Sequence, residues 1–153
     1  MTDTPFALPA DDTALDPVTI VLQGPPFGKE RPRIVSRGRF APAYTPEKTV
    51  AYEARVADLA KKAMGNRAPM EGPVTVTMRA VFAIPPSWSP RQQQKAMTKE
   101  ISPTKKPDID NLAKIVFDPM NGIVYRDDAQ IVQATLRKEY GPQPLVAICV
   151  RPL

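Results

Sequence analysis

Lys106-Pro107-Asp108-Ile109-Asp110-Asn111-Leu112-Ala113-Lys114-Ile115-Val116-Phe117-Asp118-Pro119-Met120-Asn121-Gly122 reads as a loop that becomes a helix and then stops. Pro103 and Pro107 push the residues before them out of helical geometry, so the loop holds until about Asp108. From there to about Met120 the spacing predicts a helix. Ile109, Leu112, Val116 and Met120 form an apolar stripe, while Asp110, Lys114 and Asp118 recur every four residues on another face. Asn121-Gly122 supplies the stop. A helix of this kind must bury its stripe against something, and the flanking segments read as strands that could receive it.

Downstream, Gln130 to Tyr140 and Leu145 to Val150 are predicted as two closing strands joined by a turn around Gly141-Pro142. Upstream, Val74 to Ile84 alternates strictly. Val74, Val76, Met78, Ala80, Phe82 and Ile84 lie on one face, with Thr75, Thr77 and Arg79 opposite. Ser89-Pro90 opens a short helix, Arg91 to about Met97, with serine as cap and proline in the first turn. Thr45-Pro46-Glu47 opens a longer one to about Met64, with Tyr52, Val56, Leu59 and Ala63 toward the core, Asp58 and Lys62 paired outside, and Gly65-Asn66 as the stop. Val18 to Leu22 is a β-branched strand ended by Gly24-Pro25-Pro26. The fold class is therefore α+β: one domain, a small mixed sheet packed with helices. Residues 1–16 are expected to form a flexible tail and 17–153 the domain.

The chain has 153 residues, 42% apolar residues and a formal net charge of +5. That length suits one core, and no run is long and apolar enough for a membrane helix. Met1 to Asp16 has neither the basic nor the apolar region of a signal peptide, so a cytoplasmic protein is expected. Cys149 is the single cysteine and sits in an apolar run, where it reads as a small buried hydrophobe. There is no histidine at all. Ser-His-Asp and Cys-His nucleophilic sites, His-containing zinc sites and histidine general bases are excluded with it. Hydrolytic chemistry would have to come from carboxylates, lysine, tyrosine and metal-bound water, and hard oxygen ligands favour Mg²⁺ or Mn²⁺.

An acidic knot in a basic chain is the second signal. Asp108 and Asp110 open the helix, and Asp127-Asp128 follows the turn. Two acids at a helix start are common for a plain reason: they satisfy unpaired amides and complement the dipole. An extended Ile123 to Arg126, however, could run back beside a helix of about 20 Å and bring Asp128 to its starting end. Converging carboxylates raise one another's pKa unless a divalent cation lies between them. Lys114, one turn after Asp110, is either an i,i+4 ion-pair partner worth a few tenths of a kcal/mol or a cation for a phosphate in its transition state.

Lys-Pro-Asp-x-Asp-Asn-x-x-Lys from Lys106, then Asp118, then Asn121-Gly122-Ile123-Val124-Tyr125-x-Asp127-Asp128-x-Gln130-Ile131, resembles the signature of the RusA-type Holliday junction resolvases of bacteria and their prophages. The resemblance is dense from Lys106 to Tyr140 and looser over Gly24 to Met64. It implies a homodimeric α+β endodeoxyribonuclease that resolves four-way junctions in DNA recombination and repair, with Mg²⁺ as cofactor and Mn²⁺ as a possible substitute. Residue by residue it implies that Asp108, Asp110 and Asp128 bind the metal, that Lys114 joins them in catalysis, and that Asn111, Asp118 and Asp127 support them.

Lys29, Arg31, Arg33, Arg37 and Arg39 are spaced by proline, glycine and single apolar residues, and Lys105-Lys106 abuts the acidic motif. Such runs are often solvated faces. Flanking a metal site, they are candidates for tracking DNA phosphates. Tyr44 and Trp88 could stack on bases, but core or surface packing is the better reading of each. A four-way junction has near two-fold symmetry, which suits a symmetric dimer. Two alternatives stay open: a non-catalytic branched-DNA-binding protein, or a metal nuclease acting on forks, flaps or RNA. An RNase H-like resolvase fits less well, because Val18 to Leu22 carries no acid.

Overall fold

The computed structural model describes residues 16–30, 33–34, 43–44 and 46–153. The expected tail falls outside this range except for Asp16, whose carbonyl accepts a 2.9 Å hydrogen bond from Arg67. The elements are β1 (Val18–Gln23), β2 (Arg33–Ile34), β3 (Ala43–Tyr44), α1 (Glu47–Met64), β4 (Val74–Ala83), α2 (Pro90–Met97), α3 (Ile109–Phe117), β5 (Ile131–Gly141) and β6 (Leu145–Pro152). The fold is α+β, as expected.

Four strands form a mixed sheet in the order β1-β6-β4-β5. β4 and β5 are parallel, and α2 and α3 lie in the connection between them. β6 is antiparallel to both β1 and β4. It follows β5 after only three residues yet does not pair with it. Residues 142–144 cross the end of β4, so β6 fills the space between β4 and β1. β2 and β3 form a separate two-stranded antiparallel ribbon.

One face of the sheet is the core. Val18, Ile20, Leu22, Val74, Val76, Met78, Ala80, Val146, Ile148 and Val150 alternate inward from three strands, as the pleat requires. α1 meets them with Tyr52, Val56, Ala60 and Met64, and α3 with Leu112, Ile115 and Val116. Each fully buried aliphatic side chain here contributes roughly 1.5–3 kcal/mol.

Four local expectations shift. Ala63 is exposed, and Ala60 takes its place, because the stripe steps by four residues from Tyr52 to Met64. The N-cap of α1 is Pro46, which makes no side-chain cap bond, and Thr45 lies outside the described residues. α3 ends at Phe117, and Asp118–Met120 tightens into a 3₁₀ turn around Pro119. Ile109, expected in the core stripe, is 40% exposed, because it sits in the first turn before the helix reaches the sheet. α2 follows the expected start closely: Ser89 accepts from the Gln92 amide at 3.2 Å, and Gln92 Oε1 returns the bond to the Ser89 amide. The Asp58–Lys62 pair is present at 3.2 Å.

Candidate active site

Asp108 occupies the N-cap of α3 with extended backbone (φ −68, ψ 154), and its carbonyl accepts from the Leu112 amide at 3.0 Å. Its carboxylate makes no cap bond. The ordinary reason for an aspartate at this position is therefore absent. Asp110 and Lys114 are exposed on the same face of the helix. Among the described residues no ion pair joins Lys114 to Asp110 or to Asp118.

The loop before β2 is pressed against this motif. The Lys29 amide donates to the Asn111 carbonyl at 3.0 Å. A Cβ on Gly28 would stand 2.5 Å from Pro107 Cβ and 3.3 Å from Asn111 Cβ, so only glycine fits there. The same loop sends the Lys29 side chain to the far end of α3. Its Nζ lies 2.8 Å from Asp118 Oδ2 and 3.5 Å from Glu53 Oε2 on α1. Lys29 is accordingly part of an ionic cluster rather than an open surface cation. The hydrogen bond to Asp118 is the main reason its ammonium holds its proton above the ordinary lysine range.

The return after α3 takes a shorter path than expected. Residues 121–125 form a tight turn in which the Gly122 amide donates to the Tyr125 carbonyl at 2.7 Å, and the Ile123 and Val124 amides both donate to Met120 at 3.1 Å. Gly122 adopts φ 77 there. The chain thus does not run extended back along the helix. It leaves Asp128 at the C-terminal end of α3, where the Asp128 amide donates to Asn121 Oδ1 at 2.8 Å. Asp128 contacts the side chains of Asp127 and Asp118. Asp127, then burial, then Asp118 raise its carboxyl above the usual carboxylate range. Asp127 moves the opposite way: the contact with Asp128 and the Ala129 amide favour its ionised form.

Asp110 lies eight residues before Asp118, about 12 Å along the helix axis at 1.5 Å per residue. The structure therefore sets Asp127 and Asp118 each against Asp128, while Asp108 and Asp110 open α3. Among the described residues, no group of three or more acidic or cysteine side chains converges closely enough to hold one metal ion. The donor chemistry nonetheless suits a hard dication, because carboxylate oxygens that press on one another are relieved by a positive charge between them.

Several positioning roles escape sequence reading, although Tyr125 and Gln130 stand in the quoted pattern. Gln130 Oε1 accepts from the Arg126 and Asp127 amides at 2.8 and 3.0 Å, while its Nε2 donates to the Met70 and Gly72 carbonyls at 2.9 and 2.8 Å. One side chain thereby fixes the acidic turn to the segment before β4. Tyr125 is fully buried and donates to the Phe117 carbonyl at 2.7 Å, tying the turn to the end of α3. Burial, followed by the charges of Asp128, Asp118 and Asp127, keeps its phenol protonated far above the ordinary range. Glu53 offers no local signal, since its partner is 24 residues away. Of the basic candidates, Lys105 and Lys106 are exposed beside the motif, and the Lys105 carbonyl is held by Lys138 Nζ at 2.5 Å. Arg33 lies in β2, while Arg31, Arg37 and Arg39 lie outside the described residues.

No helix among the described residues is long and apolar enough to cross a membrane. Residues 23–151 match the family described as endodeoxyribonuclease RusA. The chain is also 30% identical over 139 residues to a Bacillus subtilis (strain 168) protein named "Uncharacterized protein YqaN", a match covering 90% of this chain and 97% of that protein. The family match takes in β6, α1 and the whole acidic motif, and by it the chain belongs to the RusA endodeoxyribonuclease family.

Proposed function

We propose that this chain is a Mg²⁺-dependent, structure-selective endodeoxyribonuclease that resolves Holliday junctions by paired phosphodiester hydrolysis, acting as a homodimer in the bacterial cytoplasm, with residues 17–153 as the endonuclease domain. The family supports the nuclease chemistry and the branched-DNA substrate. The observation that carries the metal dependence is the contact of Asp128 with Asp127 and Asp118, which keeps a carboxyl above its usual range in a chain with no histidine. Such a group is poised to exchange a proton for a dication.

Asp108, Asp110 and Asp128 would hold Mg²⁺, or Mn²⁺ in its place. Bound there, the ion supplies Lewis acidity toward the phosphoryl oxygen and lowers the pKa of the attacking water. Lys114 places an exposed ammonium one turn after Asp110, where it can meet the charge developing on the phosphate. Asn111 holds the glycine loop through its carbonyl, and Asp118 and Asp127 adjust the charge around Asp128. Lys105 and Lys106 contact DNA phosphates next to the motif, as do Arg31, Arg33, Arg37 and Arg39 from the basic segment.

The test is cleavage of a synthetic four-way junction. Wild-type protein with Mg²⁺ is expected to nick opposing strands symmetrically, and Asp108→Asn to bind the junction without nicking it. A wild-type protein that binds the junction and leaves it intact across Mg²⁺ and Mn²⁺ would refute the enzyme reading.

A further inference from the structure

The sheet has two faces: α1 and α3 cover one, and on the other Val81 and Glu139 are buried at the end where α2 meets β5, while Thr77 and Arg79 stay exposed. Opposite the core, register places Arg79 on β4 directly beside Arg137 on β5, and Thr77 beside Thr135. Arg151 on β6 stands beside Thr75. Arg79, Arg137, Arg151, Thr77 and Thr135 are all exposed.

Two like charges side by side on neighbouring strands, about 4.8 Å apart, destabilise a sheet unless something offsets them. Among the outward positions of the four strands, one is acidic. Glu139 is 5% exposed, and its carboxylate is already engaged by Arg79 and Lys99. Among the described residues Arg137 and Arg151 have no ion-pair partner. The face is therefore net positive and short of anions.

Its composition also selects among anions. From β1 to β5 the outward positions are threonine, glutamine, arginine, aliphatic or small residues and Glu139, with no aromatic ring. Unpaired bases need aromatic platforms on which to stack, so single strands are poorly served. A sugar-phosphate backbone needs cations and neutral donors, which arginine and threonine provide. Arg151 and Arg79 are four residues apart in register, about 13 Å along the strands, a span of about four base-pair steps along a duplex axis at 3.4 Å each.

We propose that this open sheet face is a second DNA-binding surface that holds the backbone of a duplex arm, with Arg137, Arg151 and Arg79 on phosphates and Thr77 and Thr135 as neutral donors. It rests on the branched-DNA reading above. It lies across the sheet from α3, so it would grip an arm leaving the branch point rather than the strand being cut.

The experiment is a titration of a fluorescent four-way junction at several KCl concentrations without Mg²⁺, comparing wild type with the double variant Arg137→Gln/Arg151→Gln. Both positions are exposed, so thermal midpoints are expected to match. Binding of the double variant is expected to weaken on the order of tenfold, and its slope of log affinity against log salt to drop by about 2. Nicking by saturating protein with Mg²⁺ is expected to be unchanged. Equal affinity and slope in the two proteins would overturn the surface while leaving the nuclease intact. Loss of binding together with a change of oligomeric state in gel filtration would also overturn it, marking the face as an interface between copies. A wild type that holds no junction would sink the branched-DNA reading and this surface together.

Discussion

Lys29 Nζ and Asp118 Oδ2 are 2.8 Å apart, although 89 residues separate them in the chain. The contact joins the loop after β1 to the end of α3, and Glu53 adds a weaker 3.5 Å partner from α1. Lys29 thus sets a cation against one of the acids that touch Asp128. Its side chain is 28% exposed and that of Asp118 is 37%, so solvent screens the pair and its worth is on the order of 1 kcal/mol or less.

Lys29→Met is expected to lower stability by about 1 kcal/mol and to slow junction cleavage, with Lys29→Arg recovering part of both. Urea unfolding and single-turnover cleavage provide the measurements. The sign with pH follows from the raised ammonium pKa. The pair stabilises fully below the unfolded value of 10.5 and is lost as pH rises through the higher folded value. On the alkaline side, wild type and Lys29→Met should therefore converge in stability only in strong alkali, and convergence at neutral pH would contradict the pair.

Asp128 has the opposite linkage. Its folded pKa is raised above 3.8, so the folded state binds its proton more tightly than the unfolded state does. Folding carries no penalty from this group below the unfolded value, and the penalty grows as pH rises through the raised one. Metal-free Asp128→Asn is accordingly expected to melt at or above the wild-type temperature at pH 7, with the difference closing below about pH 3.8. Added Mg²⁺ should raise the melting temperature of wild type and not that of the variant. Cleavage by the variant should fall on the order of a hundredfold or more.

Gly28 makes the close approach between the basic loop and Pro107 possible. Gly28→Ala forces a Cβ to within 2.5 Å of Pro107 Cβ, against the ring of the residue that precedes Asp108. The expected cost is about 1–3 kcal/mol, measurable as a shift in urea midpoint. Cleavage should drop further than stability explains, because the displaced segment opens α3. Gly24→Ala is the control, since nothing lies within 4 Å of that position, although its φ of 110 adds backbone strain.

Much of this was legible because it is local. The alternation of β4, the serine cap of α2 and the glycine stop of α1 depend on residues within a few positions of one another, and these three elements appear within one or two residues of their expected bounds. What the residue pattern hid is long-range or depends on a turn. Asn121-Gly122 was readable as a helix stop, but not as a five-residue turn that strands Asp128 beside Asp118. Strand alternation says which residues of β6 face inward, yet is silent on which neighbours it takes, so its insertion between β1 and β4 was invisible. Lys29 read as one more basic residue in a row because Asp118 and Glu53 reach it only through the packed fold.

Glu139 tests the opposite side of the sheet. Burial by itself would push its carboxyl upward, but the hydrogen bonds and charges of Arg79 and Lys99 outweigh that and hold it below 4.5. Arg79 Nε donates to it at 2.6 Å, and Lys99, at 3.5 Å, also donates to the Tyr140 carbonyl at 2.6 Å. A depressed folded pKa gives stability that is present above the unfolded value and lost as pH falls through the folded one. Glu139→Gln keeps the shape and an acceptor but removes the charge. Arg79 and Lys99 are about half exposed and recover water when the charge goes, so the expected loss at pH 7 is about 1–2 kcal/mol, the lower part of the range for bonds to charged groups. The gap between wild type and variant in urea should narrow as pH drops below 4.5. A gap that stays constant down to pH 3 would mean that packing of the side chain, and not its charge, holds this corner of β5 to the segment that leads into Asp108.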